Sequence, residues 1–247
     1  MDYKLLLDTA VMAGELMLES GAETYRVEDT MHRMLSLSDL STAEVFVTMT
    51  GFVATLDDPS IDSMTVVRRI TNRSTDLNRI HQVNAISRDF CAGKLTLQEA
   101  FHQIRDIKRA PQVLQARLIS TPLVAAGFTM SFGGSFWEII ISAICGFFMA
   151  LCMYICKRFR MQNFLTLLLS AAVVSMTAVL GIRCLPVPQI LDNIIIGSIM
   201  PLVPGVAITN AVLDTLNGDY LSGIARILEA FVIAAAIAIG IGLGLNI

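Results

Sequence analysis

The sequence has few charged residues for its length. Only 16% of its 247 residues are Asp, Glu, Lys or Arg, whereas soluble domains carry about 25%. The shortage is concentrated in the second half, because residues 118–247 hold 10 of the 39 charged side chains. So few charges cannot keep a protein surface in water. The composition therefore excludes a single soluble domain, and it excludes a nucleic-acid-binding protein, which would need a basic stripe.

Residues that hold metals or act as nucleophiles are scarce and scattered. The three histidines, His32, His81 and His102, lie on separate predicted helices without ligand spacing. Five cysteines give an odd count, which argues against a disulfide framework. No glycine-rich phosphate loop, HExxH motif or nucleophile elbow occurs. We therefore expect no metal site, no cofactor and no catalytic residue, and we expect that the protein is not an enzyme.

Residues 1–115 show the periodicities of a small α+β domain. Helical patterns cover residues 1–33, and helical spacing of apolar residues returns at Leu77. Period-two alternation between these regions predicts three strands, at residues 44–50, 52–56 and 64–71. Ser20 with Glu23, and Thr96 with Glu99, have the spacing of capping boxes. The predicted element order is ααβββαα, in a water-exposed domain.

The second half contains five long apolar stretches. A helix that spans a bilayer needs about 20 apolar residues. The five predicted transmembrane helices cover approximately residues 118–136, 138–156, 161–183, 190–211 and 224–246. Residues 116–247 are therefore predicted to form an all-α polytopic membrane domain embedded in the lipid bilayer.

Basic residues predict the orientation of these spans. They are Arg105, Lys108, Arg109 and Arg117 before the first span, and Lys157, Arg158 and Arg160 between the second and third. Loops rich in Lys and Arg stay in the cytoplasm. We therefore expect a multi-pass protein of the cell membrane, with a cytoplasmic amino-terminal domain and the carboxy terminus outside.

The fourth predicted span is interrupted by Pro201 and Pro204, followed by Gly205. Because proline lacks an N–H, the carbonyls of Gly197 and Met200, four residues earlier, lose their helical partners. Unpaired carbonyls in lipid are costly unless they line a polar cavity or a protein interface. Discontinuous helices build substrate sites in transporters. The alternative is a kink that neighbouring helices repair.

Polar residues follow this break. Asn210 and Asp214 share one helix face, and Arg226 and Glu229 begin the fifth span, where they could simply neutralise each other. Ionisable residues at such positions usually face a bundle interior. The predicted substrate-binding residues are Gly197, Met200, Pro201, Pro204, Gly205, Asn210 and Arg226. The predicted proton-coupling residues are Asp214 and Glu229.

Two groups of residues resemble the threonine/serine exporter family. The first is residues 18–29, LESGAETYRVED, with residues 48–51, TMTG. The second is residues 200–205, MPLVPG, with Asn210, Asp214 and residues 223–226, GIAR. The resemblance covers nearly the whole chain. It implies a secondary exporter of small polar metabolites, threonine or serine above all, for which we expect coupling to the proton gradient.

The same resemblance implies a partner. Some members of the family are single long chains, and others divide the spans between a longer chain and a short, wholly membrane-embedded subunit. This chain resembles the longer component, and a homo-oligomer is the alternative. The resemblance extends to a dicarboxylate (succinate) exporter, so that substrate also stays open. A membrane-anchored hydrolase or a ligand-sensing scaffold would be functions of another class.

Overall fold

The amino-terminal half forms the elements that its periodicity predicts. The computed structural model describes residues 1–109, 114–184 and 191–246. In chain order, the first range contains α1 (Tyr3–Glu19), α2 (Thr24–Leu35), β1 (Thr42–Thr48), β2 (Gly51–Asp58), β3 (Ile61–Arg69), α3 (Leu77–Cys91) and α4 (Leu97–Arg109). The predicted order ααβββαα is therefore confirmed.

The three strands form an antiparallel sheet in the order β1-β2-β3, with Val45 opposite Ala54. Alternate residues of β1 and β2 are buried, among them Val47, Phe52 and Leu56. This face of the sheet packs against α1 and α2. Helix α1 also packs against α3 and α4, which makes it the central helix of the core.

One of the two predicted capping boxes forms. At the start of α4, the N–H of Thr96 donates to Glu99 Oε2 at 2.8 Å, and the N–H of Glu99 donates to Thr96 Oγ1 at 3.3 Å. Bonds from the backbone and hydroxyl of Thr96 lower the pKa of Glu99. The box predicted at Ser20 is wrong. Ser20 ends α1, and Glu23 occupies the N-cap of α2 without a side-chain cap bond.

The second half of the described chain is helical. Its elements are α5 (Leu114–Ser131), α6 (Phe136–Arg158), α7 (Asn163–Arg183), α8 (Leu191–Ile199), α9 (Gly205–Leu216) and α10 (Tyr220–Leu245). A short 3₁₀ turn, Met200–Leu202, follows α8. Three positions used in the sequence predictions lie outside the described residues, namely the side chains of Arg109 and Arg117, and residue 190.

The structure supports fewer spanning helices than the five predicted. Among the described residues, α6, α7 and α10 are each long and apolar enough to cross a membrane. Leu191–Leu202 and Gly205–Leu216 qualify only together, as a broken pair, so the number is three, or four if the pair is one span. The first predicted span is too short, because its apolar part, Leu118–Ser131, ends before Gly133 in the left-handed region.

The chain divides into two compact units. The mixed unit consists of Met1–Pro111 and Gly205–Leu228, and the helical unit of Gln112–Pro204 and Glu229–Ile247. Helix α9 and the beginning of α10 thus belong to the same unit as the α+β elements. The sequence had divided the chain at a single position, between residues 115 and 116.

Helices α7 and α10 approach closely within the helical unit. A Cβ atom at Gly240 would overlap the carbonyl oxygen of Leu168, and one at Gly244 would overlap the hydroxyl of Ser175. Small residues at such contacts allow two helix backbones to pack in a membrane. Gly242, on the same helix, has no atom within 4 Å of an added Cβ.

We expect Gly240→Val to lower the melting temperature of the purified protein by about 3 °C or more, because the added atoms overpack the α7–α10 contact. Gly242→Val is the matched control, since it adds the same side chain to open space, and it should melt like the wild type. Equal melting temperatures for the two variants would show that this contact does not stabilise the helical unit.

Candidate functional site

The loop between α1 and α2 presents two backbone carbonyls to the last helices of the mixed unit. Gly21 has a φ of +83°, which a residue with a Cβ rarely adopts. The Gly21 carbonyl accepts a hydrogen bond from Asn210 Nδ2 at 2.8 Å. The carbonyl of Ala22 accepts one from a terminal guanidinium nitrogen of Arg226, also at 2.8 Å. The left-handed turn therefore exposes these carbonyls to side chains far along the sequence.

Asp214, on α9, has no exposed surface. Its Oδ1 accepts hydrogen bonds from the backbone N–H and the hydroxyl of Thr24, at 3.1 and 2.8 Å. Its Oδ2 accepts from Arg226 Nε at 2.7 Å. Because Thr24 begins α2, the carboxylate lies at the positive end of that helix. Asp214 thus accepts the hydrogen bond of the first N–H of α2. The sequence had predicted Ser20 as the cap at this end of the helix.

The guanidinium of Arg226 is the counter-charge of this carboxylate. Its side chain is 7% exposed, and it bonds to both Asp214 and the Ala22 carbonyl. A buried ion pair offsets its desolvation cost only when further hydrogen bonds satisfy both charges. Here the carboxylate has Thr24 and the guanidinium has Ala22. We call Thr24, Asp214, Arg226 and the Gly21 and Ala22 carbonyls the latch.

The turn between β1 and β2 also contacts the beginning of α10. The N–H of Met49, in the turn between β1 and β2, donates to Ser222 Oγ at 3.0 Å. The N–H of Ser222 donates to Asp219 Oδ1 at 3.1 Å. Burial alone would raise the pKa of Asp219, but hydrogen bonds from Ser222 and Thr24 and the charge of Arg226 lower it overall. Apart from residues 200–204, the residues of the family resemblance therefore belong to one unit.

The break itself lies in the other unit up to Pro204. The Met200 carbonyl, predicted to lose its partner, accepts the N–H of Val203 at 3.2 Å. That part of the prediction is wrong, because the 3₁₀ turn supplies a donor three residues later. Gly197 packs directly on Thr129, whose hydroxyl a Cβ would overlap. Pro201 lies inside the turn, and Gly205 begins α9.

Three buried hydroxyls form a chain in the helical unit close to this break. Thr129 Oγ1 donates to Ser142 Oγ at 2.7 Å, and Ser142 Oγ lies 2.9 Å from Ser198 Oγ. They come from α5, α6 and α8, and none has exposed surface. Ser198 precedes Pro201 by about one helical turn. The hydroxyl cluster gives an otherwise apolar interior a polar centre that sequence reasoning missed, since hydroxyl residues do not interrupt a charge-free stretch.

Glu138 is a second residue that sequence reasoning missed. It is 3% exposed near the start of α6, where Oε2 accepts the N–H of Ser135 at 2.9 Å and Asn193 Nδ2 at 3.4 Å. It begins the predicted span 138–156, and no role was predicted for it from the sequence. Its capping-box spacing with Ser135 was the available signal.

The two predicted proton-coupling residues lie in different units. Asp214 belongs to the latch, whereas Glu229 is a half-buried residue of α10 in the helical unit. Of the four polar residues predicted after the break, the structure brings together Asn210, Asp214 and Arg226. Arg226 Nε bonds to Asp214, which gives the guanidinium a partner beyond its own helix.

We expect Asp214→Asn to destabilise the protein by about 3–5 kcal/mol, because it leaves a buried guanidinium without its counter-charge. The double variant Asp214→Asn with Arg226→Met removes both charges and should regain most of that loss. Unfolding of the purified protein measures both. Asp219→Asn is the control and should cost about 1 kcal/mol, as for a weakened helix cap. A larger loss for Asp219→Asn than for Asp214→Asn would contradict the role of the latch.

Comparison with known proteins gives the same family from an independent direction. The model of the family described as "Putative threonine/serine exporter" matches residues 8–247. The "Probable threonine/serine exporter" of Mycobacterium tuberculosis is 23% identical over 238 residues, which cover 94% of this chain. No solved structure matches the chain.

The match covers very different shares of this chain and of the mycobacterial protein. It covers 44% of the length of that relative, so this chain spans less than half of it. The matched residues of the family include both the loop at Gly21 and the helices that carry Asp214 and Arg226. From this match and the helices that can cross a membrane, the chain is a multi-pass membrane protein that belongs to the threonine/serine exporter family.

Proposed function

We propose that this chain is a membrane subunit of a secondary exporter of small polar metabolites, with threonine and serine as substrates and the proton gradient as the driving force. Membership of the exporter family supports the substrate class. In this proposal the chain performs no catalysis and requires no cofactor. Export of a dicarboxylate such as succinate is the second candidate, since its small polar substrate would use the same kind of path.

The observation that carries the proposal is a broken helix with buried polar groups on both arms. Ser198, on α8, belongs to the hydroxyl cluster, and Asn210 and Asp214, on α9, are buried in the mixed unit. Polar groups inside a membrane protein are costly and usually mark a substrate path. Discontinuous helices place such groups beside the substrate.

We assign the substrate path to this break. Pro201 and Pro204 keep α8 and α9 from closing into one helix, and Gly205 begins the second arm. The Gly197 carbonyl, four residues before Pro201, is the acceptor we propose for a substrate ammonium group. Arg226, predicted from the sequence to bind substrate, has a positioning role in this proposal, because its guanidinium already bonds to Asp214 and the Ala22 carbonyl.

Proton coupling is proposed to act through Asp214 and Glu229. Both oxygens of the Asp214 carboxylate already accept hydrogen bonds, so protonation requires the Arg226 pair to open. Such opening would release the loop at Gly21, which links a proton to a conformational change. Glu229, half-buried on α10, is the second carboxylate that could exchange a proton during the cycle.

The composition of the mixed unit supports the proposed orientation, with the amino-terminal domain in the cytoplasm and the carboxy terminus outside. Gly205–Leu228 packs with Met1–Pro111, so the turn between α9 and α10 would lie on the same side of the membrane as the amino-terminal domain. The basic residues around Lys157 favour the cytoplasm for that side. Helix α10 would then carry the carboxy terminus outside.

We further propose that transport requires a second, short membrane subunit of the same family. A substrate site needs protein on all sides, which few helices provide, and the mycobacterial relative is more than twice as long as the matched region. Ala234, Ala238 and Gly242 form an exposed row of small residues on α10, suited to close helix contact. A homo-oligomer would satisfy the same requirement.

Counterflow in proteoliposomes tests this proposal. The chain is reconstituted alone and together with the short subunit, and uptake of labelled threonine, serine and succinate is measured with and without a proton gradient. We expect threonine and serine flux only from the two subunits together. Full flux from the single chain would rule out the obligatory partner, and flux of succinate alone would replace the substrate assignment.

Replacing Pro201 and Pro204 by Ala should sharply reduce flux in this assay. The double variant restores two helical N–H donors and lets α8 and α9 join as one helix, while the apolar length needed for insertion is unchanged. Membrane content measured by immunoblot controls for insertion. Wild-type flux in the double variant would show that the break is only a kink.

A further inference from the structure

A cavity of about 390 Å³ lies within the mixed unit. It is bounded by the loop at Gly21, by α3 and by the first turns of α9. Its volume falls in the lower part of the range of about 300–1,000 Å³ found for small-molecule sites. Ile80 and Val206 give part of the wall an apolar character, and Asn210 connects the wall to the latch.

Charged groups of both signs line this cavity. The carboxylate of Glu23, whose side chain is 14% exposed, pairs with Arg26 at 3.0 Å. Arg88 approaches from α3, and among the described residues its guanidinium has no hydrogen-bond or ion-pair partner. The side chain of Asn84 adds an amide to the same wall. Arg26 lines the cavity as well, so the lining contains one carboxylate, which shares a salt bridge, and two guanidinium groups, of which that of Arg88 is unpaired among the described residues.

We propose that this cavity binds a free α-amino acid with a small polar side chain. The ammonium group would lie against Glu23, and the carboxylate would bond to Arg88, whose planar fork matches a carboxylate in a bidentate arrangement. The amide of Asn84 can bond to a side-chain hydroxyl. Ile80 and Val206 cover the aliphatic part.

The carboxylate of Glu23 favours a zwitterion over a dicarboxylate, and Arg26, which also lines the cavity, neutralises part of its charge. A second ligand carboxylate would lie near the Glu23 carboxylate, and like charges repel strongly where solvent is partly excluded. A neutral zwitterion avoids this repulsion and replaces it by an attraction. We therefore expect the cavity to prefer an amino acid to a dicarboxylate.

The site goes beyond the proposed function, because binding here does not depend on transport. The side chain of Asn210 lines the cavity and also donates to the Gly21 carbonyl. Asp214 follows one helical turn later. A bound amino acid would therefore contact the residue adjacent to the latch, so the mixed unit could respond to the amino-acid concentration on its side of the membrane.

Isothermal titration of the purified full chain in detergent tests the site. The probes are L-threonine, L-threonine methyl ester, which lacks the carboxylate, and succinate. Arg88→Gln and Glu23→Gln should each weaken L-threonine binding about tenfold or more. Arg33→Gln, which breaks an exposed pair with Asp29 on α2 outside the cavity, is the control and should bind as the wild type does. The methyl ester and succinate should bind more weakly than L-threonine.

Folding of each variant is checked by thermal unfolding. Glu23 makes no cap bond and the Arg88 side chain is exposed, so both variants should fold. L-Threonine binding that is unchanged in Arg88→Gln, or undetectable in the wild type, would overturn the site. If succinate binds to the wild type more tightly than L-threonine does, the proposed ligand class is overturned. Counterflow of threonine that persists in either case would leave the proposed function intact.

Discussion

The buried ion pair between Asp214 and Arg226 is the interaction on which the mixed unit depends. Thr24 and Asp214 are 190 positions apart in the sequence, and the pair joins the beginning of the chain to its last helices. Each charge is acceptable inside the protein only because the α1–α2 loop supplies further hydrogen bonds. Gly21 permits this, since its left-handed backbone turns two carbonyls toward the helices.

This dependence joins the α1–α2 loop to α9 and the beginning of α10 within the mixed unit. Helix α9 carries Asp214 and begins directly after Pro204. The same loop borders the amino-acid cavity. A ligand or a proton shifts the equilibrium only as far as it interacts differently with the closed and open latch. Opening the latch would leave Asp214 and Arg226 as unpaired buried charges, so the free-energy difference between the closed and open latch is large.

Periodicity predicted the α+β order because each element buries one face, and that pattern is local. The capping box at Thr96 was local in the same sense. Ser20 and Glu23 have the same capping-box spacing, yet the first N–H of α2 bonds to Asp214 instead. No local pattern reveals a partner so distant in sequence. Apolar length predicted five spans because it measures compatibility with lipid, whereas Gly133 decides where α5 ends. The shared face of Asn210 and Asp214 was predictable, but the loop they bind was not.

The central claim is that the α1–α2 loop is held by the last helices in the resting protein. Hydrogen exchange at the Thr24 backbone amide tests it most directly, because Asp214 is the acceptor of that amide. In the full chain, the Thr24 amide should exchange far more slowly than the amides of the exposed residues 71–73. In Arg226→Met it should approach their rate. Exchange in the wild type as fast as at residues 71–73 would contradict the latch.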